Sequence, residues 1–228
     1  IAGQVCSDAS VTIRNCRNYA SLRGVWGIGG ILGEIEDGAS AVIENCSNHG
    51  TITAQYTGGG IVGQVGPNRW RANGACVTLN NCYNVGTVGG KAEWGVGGLL
   101  GALRMCGDTA QSSMRNCYNA GEIKSGAISG ALLGSITETT LVIGNVYSLA
   151  QDTLAAWGSF DDDGSETVGT VKGDAVQKTE AQMKDFAFAR RLGTAFASDT
   201  ANQNNGYPIL FGEKPLGEEA PIHGSVEI

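Results

Sequence analysis

Proline is scarce, at 4 residues in 228, and charge is thin, at 16% of residues. Histidine occurs twice, at His49 and His223, which leaves little for a zinc site built on Cys/His spacing. Acidic residues outnumber basic ones, 22 to 15. The net charge of -7 argues against nucleic acid, because phosphate binding needs a Lys/Arg surplus. It argues equally against an anionic membrane surface. No apolar run approaches ~18 residues, so no transmembrane helix and no membrane insertion are expected. There is no HExxH, and no GxSxG elbow with a plausible triad. No acidic position recurs or pairs as glycan cleavage would require.

Glycine is the excess, with 36 residues, about twice its usual ~7% share. It follows no collagen-like period, and an apolar share of 42% is too high for a disordered chain. Much glycine with ordinary hydrophobicity points to many tight corners between short strands.

The chain repeats. Asn-Cys returns as Asn15-Cys16, Asn45-Cys46, Asn81-Cys82 and Asn116-Cys117, with the cysteines 30, 36 and 35 residues apart. A second Asn follows two residues after each Cys, at Asn18, Asn48, Asn84 and Asn119. Short β-prone runs precede the pair: VTIRN, AVIEN, VTLNN and SSMRN. A fifth copy, LVIGNVYSLA, keeps Asn145 and puts Val146 where Cys would fall. A glycine segment repeats in phase: GGILGEI, GGIVGQV, GGLLGAL and GALLGSI. The opening IAGQV matches IVGQV of 61–65, so the chain opens inside a repeat and earlier repeats are expected ahead of it. The lack of a signal peptide then carries no weight.

Each unit is expected to hold three short strands separated by Gly/Asn corners. Such strands cannot bury an apolar face alone, and stacking successive units solves this. The fold class expected is all-β: a right-handed parallel β-helix of about five coils, ~25 Å tall, with a small C-terminal cap containing one helix.

The Gly-Gly-Ile-Leu/Val-Gly segments with their Asn-Cys-x-Asn partners resemble GLUG-motif repeats, over roughly residues 1–149. That resemblance implies a secreted or cell-wall-attached, extracellular bacterial protein. The family occurs in adhesin-like surface proteins and in the non-catalytic parts of immunoglobulin A-degrading peptidases. The motif carries no catalytic residue to transfer. Residues 150–211 resemble the segment that closes such arrays in gut Firmicute surface proteins. Within them Thr179 and Gln182 stand at capping-box spacing, so a helix is expected near 179–192, apolar on two sides through Met183, Phe186, Phe188 and Leu192. Residues 212–228 read as a linker or the start of a following module.

No catalytic, metal or cofactor residues are assigned. The ladder Asn15, Cys16, Asn45, Cys46, Asn81, Cys82, Asn116 and Cys117 reads as structural: small buried thiols beside corners, with asparagines that tolerate left-handed backbone. Cys76 and Cys106 lie outside the motif on successive repeats, and a disulfide between them is left open; Cys6 has no obvious partner. The glycine runs lack the Lys and the following helix of a phosphate loop. Asp161, Asp162 and Asp163 lack a full calcium-loop pattern and read as a solvated turn. Trp26, Tyr56 and Trp94 each stand three residues before a glycine segment, with Ala127 in the fourth copy. Stacked repeats would align them, either packed on each other or facing solvent as a sugar platform. The reading is a non-enzymatic stiff spacer or adhesion surface, with a host glycan or host surface protein, or other domains of the same chain, as partner. The alternatives are a carbohydrate-binding module using that ladder, then a glycan-cleaving enzyme.

Overall fold

The computed structural model describes residues 1–66, 74–91, 93–104, 106, 111–125, 128–152, 154–158, 168–213 and 225–227. Each repeat folds into a run of very short strands, and each strand pairs in parallel with its counterpart one repeat on. Four sheets result, and their registers follow the sequence repeat. In the glycine-segment sheet Val5, Ile35, Val65, Leu103 and Ile136 are Cα partners in succession. In the Asn-Cys sheet the strands Ser10–Arg14, Ser40–Glu44, Cys76–Asn80, Ser112–Asn119 and Thr140–Leu149 align Ile13, Ile43, Leu79, Met114 and Ile143. A third sheet aligns Leu22, Ile52, Val88 and Ile123. The fourth pairs Ile28–Gly29, Thr57–Gly59, Gly95–Gly97 and Ser129–Gly130. Among the described residues strands take 51% and helix 6%, so the molecule is mostly β with parallel sheets.

Alternation decides which side chains go inward. Val11 and Ile13, like Ala41 and Ile43 or Val77 and Leu79, are buried, while the residues between them are not. Each such aliphatic side chain contributes about 1.5–3 kcal/mol on full burial. The sequence expectation of three strands per unit falls short. The first three repeats have five each: the Asn-Cys strand breaks after its left-handed Asn and resumes as a two-residue strand such as Arg17–Asn18 or Ser47–Asn48, and the fourth sheet adds one more, such as Ile28–Gly29. Two residues are too few for alternation to show in sequence.

Beyond the repeats, Thr170–Lys172 and Ala175–Lys178 pair with Thr140–Leu149 and extend the last repeat. The single helix expected near 179–192 is two helices, α1 (Glu180–Met183) and α2 (Phe186–Leu192). Thr179 and Gln182 form the expected capping box on α1. Asp185 then N-caps α2 by accepting from the Ala187 N–H, which starts a second helix. The break sends Phe186 outward at 60% exposure, while Met183, Phe188 and Leu192 are buried. These three pack with Phe196, Tyr207 and Leu210 on Tyr83 and Tyr118, so this segment lies against a flank of the Asn-Cys sheet. Of residues 212–228, Glu213 is buried in the same place and Ser225–Glu227 pairs antiparallel with Ser10–Arg14.

Candidate functional site

Two asparagine ladders run through the Asn-Cys sheet. Asn15, Asn45, Asn81, Asn116 and Asn145 all have φ between 51° and 59°, the left-handed region that Asn tolerates better than most residues. Their side-chain amides bond outward of the core, each later repeat donating to the earlier one: Asn45 to Asn15 at 3.3 Å, Asn81 to Asn45 at 3.0 Å, Asn116 to Asn81 at 3.1 Å and Asn145 to Asn116 at 2.9 Å. The second ladder is buried and runs the other way. Asn18, Asn48 and Asn84 each donate at 2.7 Å to the next Oδ1, and Asn119 ends on the Ala131 carbonyl.

One glycine of each of the first three segments makes room for this second ladder, while the others lie against the backbone of neighbouring strands. A Cβ on Gly30 would stand 2.5 Å from the Asn48 amide, one on Gly60 2.4 Å from that of Asn84, and one on Gly98 2.2 Å from that of Asn119. In the last repeat the corresponding pair is Ala131 and Ser148, a methyl gained where the side chain shrinks. Glycine and asparagine recur together because they share one volume.

The thiols are just as fully engaged. Cys16, Cys46, Cys82 and Cys117 are free and buried, each donating to the carbonyl two residues back at 3.1–3.3 Å. A hydrogen bond with the Cys16 thiol, then burial, pushes Cys46 up; burial first pushes Cys82 up. A thiol held protonated is a poor nucleophile and metal ligand. The disulfide left open between Cys76 and Cys106 is not formed: both are free thiols. Cys106 is buried, donates to the Arg104 carbonyl and is pushed by burial up to about 12.

Trp26, Tyr56 and Trp94 do meet. Trp26 stacks on Tyr56 with centroids 3.8 Å apart at 12°, and both contact Trp94, at 4.6 and 5.4 Å. The Arg104 guanidinium lies 4.8 Å from the Trp94 ring centroid. The rings therefore spend much of their surface on each other and on a cation; Trp26 is the most open, at 38%. Ala127, Asp161, Asp162, Asp163 and His223 lie outside the described residues.

One cluster escaped the repeat logic. Glu213, 8% exposed, accepts from the Tyr83 hydroxyl and the Leu210 N–H, each at 2.9 Å. Arg17 Nε lies 3.1 Å and His49 Nε2 3.5 Å from its Oε1. Tyr19 stacks on His49 with centroids 4.4 Å apart. Burial alone would raise Glu213; the His49 hydrogen bond, the Arg17 charge, the Leu210 N–H and the Tyr83 hydroxyl outweigh it and hold the carboxyl below its usual range. Ser47, His49 and Glu213 look like a serine-hydrolase set, but the arrangement is wrong for one. Ser47 Oγ and Glu213 both approach the same imidazole nitrogen, Nε2, whereas a triad needs the acid on the other nitrogen. Ser47 is also fully buried. The sequence signal for this cluster was the Cys-Tyr-Asn of 82–84 and 117–119: a tyrosine on the outward side of a buried ladder needs something to cover it.

Among the described residues no group of three or more His, Cys, Asp or Glu could hold a metal, and no helix is long and apolar enough to cross a membrane. No family model, curated protein or solved structure matches the chain.

Proposed function

We propose that this chain is a non-enzymatic structural module: a stiff right-handed β-helix of GLUG-type repeats that serves as a spacer in an extracellular or wall-attached protein. The observation that carries this reading is where the recurring side chains go. Asn, Cys and Gly, the residue types that repeat, are spent on neighbouring repeats or on their own backbone. What would be chemistry in another setting is here the joint between coils. In-register parallel pairing through four sheets supports the β-helix, and the handedness of parallel crossovers favours the right-handed form. The motif resemblance supports the family and the extracellular setting.

The exposed ring of Trp26 favours a second reading, a carbohydrate-binding face, since an aromatic face packs on a pyranose ring. The test is a glycan and matrix-protein array with the whole chain and a Trp26→Ala/Trp94→Ala variant. The spacer reading expects background signal from both proteins and a lowered melting temperature in the variant. Saturable glycan binding that disappears in a still-folded variant would replace it with the second reading. Turnover of any glycan would overturn both.

A further inference from the structure

From Arg191 to Glu213 the chain returns along the flank of the Asn-Cys sheet, against the order of the repeats. Asn145 of the fifth repeat donates to the Arg191 carbonyl at 2.6 Å. Tyr118 of the fourth donates from its hydroxyl to the Pro208 carbonyl, and Asn204 Nδ2 reaches the same hydroxyl at 3.2 Å. Glu213 then engages Tyr83 of the third repeat, His49 of the second and Arg17 of the first. Under this strap the Tyr83 and Tyr118 rings are stacked 5.0 Å apart at 2°, both fully buried.

The strap's attachments are unequal in kind. Those at Tyr118 and Asn145 are neutral hydrogen bonds. The one that spans the first three repeats converges on a single carboxylate. The groups facing it are Arg17 and Tyr19 from the first repeat, His49 from the second, with Ser47 bonded to its imidazole, and Tyr83 from the third; from the strap itself the Leu210 N–H donates to the carboxylate and Gln203 Nε2 donates to the Glu213 backbone carbonyl. We propose that Glu213 is an acid-released latch, whose protonation frees the strap around Glu213, between its bonds at Tyr118 and the pairing of Ser225–Glu227 with Ser10–Arg14, and uncovers the Tyr83 side of the stacked pair Tyr83 and Tyr118.

The physical reason is charge balance in a place with little water. Ionised Glu213 neutralises Arg17 and accepts hydrogen bonds from Tyr83, His49 and Leu210. Once the carboxylate is protonated, the Arg17 guanidinium has no negative charge facing it. Removing one partner of a buried ion pair is far more destabilising than never having built the pair. Because the folded carboxyl sits below its ordinary value near 4.5, the latch is closed above that pH and opens as pH falls through the lower folded value. This device stands whether the array is a spacer or binds a glycan.

The test is amide hydrogen exchange on the full chain, read as protection factors at pH 7, 5 and 3.5. Peptides covering 199–213 and 82–86 report the strap, and those covering 40–44 and 76–80 report the core. In the wild type, strap protection should fall severalfold by pH 3.5 while core protection holds. Glu213→Gln should show that low strap protection already at pH 7, with no further change in acid. Arg17→Gln removes a charge that lowers the Glu213 pKa, so its opening midpoint should move up. The proposal is overturned if strap and core lose protection together, if Glu213→Gln keeps the wild-type profile, or if Arg17→Gln leaves the midpoint in place. Should Glu213→Gln lose core protection as well, the wild-type profile and the Arg17→Gln midpoint decide between latch and no latch.

Discussion

Asn84→Ala measures what the buried asparagine ladder contributes. Asn84 has no solvent exposure and makes four hydrogen bonds. It donates to Asn119 Oδ1 at 2.7 Å and to the Gly86 carbonyl at 2.8 Å; it accepts from Asn48 Nδ2 at 2.7 Å and from the Gly86 N–H at 3.2 Å. At about 1 kcal/mol net for each bond, the substitution should cost about 4 kcal/mol. The loss should not run much higher, because the neighbours keep other partners: Asn48 still donates to the Gly50 carbonyl and Asn119 still accepts from the Gly121 N–H. Asn18→Ala is the internal comparison. Asn18 makes three such bonds at the open end of the ladder, to Asn48, to the Ala20 carbonyl and from the Ala20 N–H. Its loss should be about 2–3 kcal/mol. Asn84→Asp keeps the shape but cannot donate, so at pH 7 it should be at least as damaging as Ala and should recover part of the loss in acid. Urea unfolding followed by far-UV circular dichroism gives all three values from the midpoint and slope. A loss under about 1 kcal/mol for Asn84→Ala, or a larger loss for Asn18→Ala, would refute the account of the ladder as the main polar joint.

Gly60→Ala should cost about 3 kcal/mol or more, or prevent folding, because the new Cβ would lie 2.2 Å from the Gly98 carbonyl oxygen and 2.4 Å from Asn84 Cγ. Gly3→Ala, with nothing within 4 Å, should leave the unfolding midpoint nearly unchanged. In a thiol titration at pH 8, exposed Cys6 should react promptly, while Cys46, Cys82 and Cys106 should wait for denaturant, because burial and thiol pairing push them up. Asp185→Ala removes the cap of α2 and should lower stability by about 1 kcal/mol in the same urea assay.

What could be read in the sequence was whatever repeats. Asn15-Cys16 and its copies fix the register of the Asn-Cys sheet, and the pairing of Cys117 with Val146 agrees with the fifth copy of the motif. The aromatic trio was legible as a set for the same reason, and its mutual packing follows from one step of the stack. Three things were hidden. The fourth sheet is built on strands of two or three residues, too short for any period. The helix break at Asp185 depends on a cap that competes with a continuous apolar pattern. The Glu213 cluster joins Tyr83 to a residue 130 positions away, and a single long-range carboxylate leaves no spacing to detect. His49 was visible only as a residue without copies, and a residue that breaks a repeat is often spent on something outside it.

The opposed directions of the two asparagine ladders bear on how such a chain grows in evolution. Each repeat offers amide hydrogens upward from its buried asparagine and downward from its corner asparagine. An in-frame duplication of about 30–36 codons therefore inserts a unit whose two faces already fit both neighbours. No compensating change is needed in the two ladders themselves, whereas a unit inserted under the strap would shift its partners. A unit inserted upside down would set donor against donor on both ladders at once. The polarity that holds the stack together also acts as a spelling rule, letting copies be added in one orientation and rejecting the other.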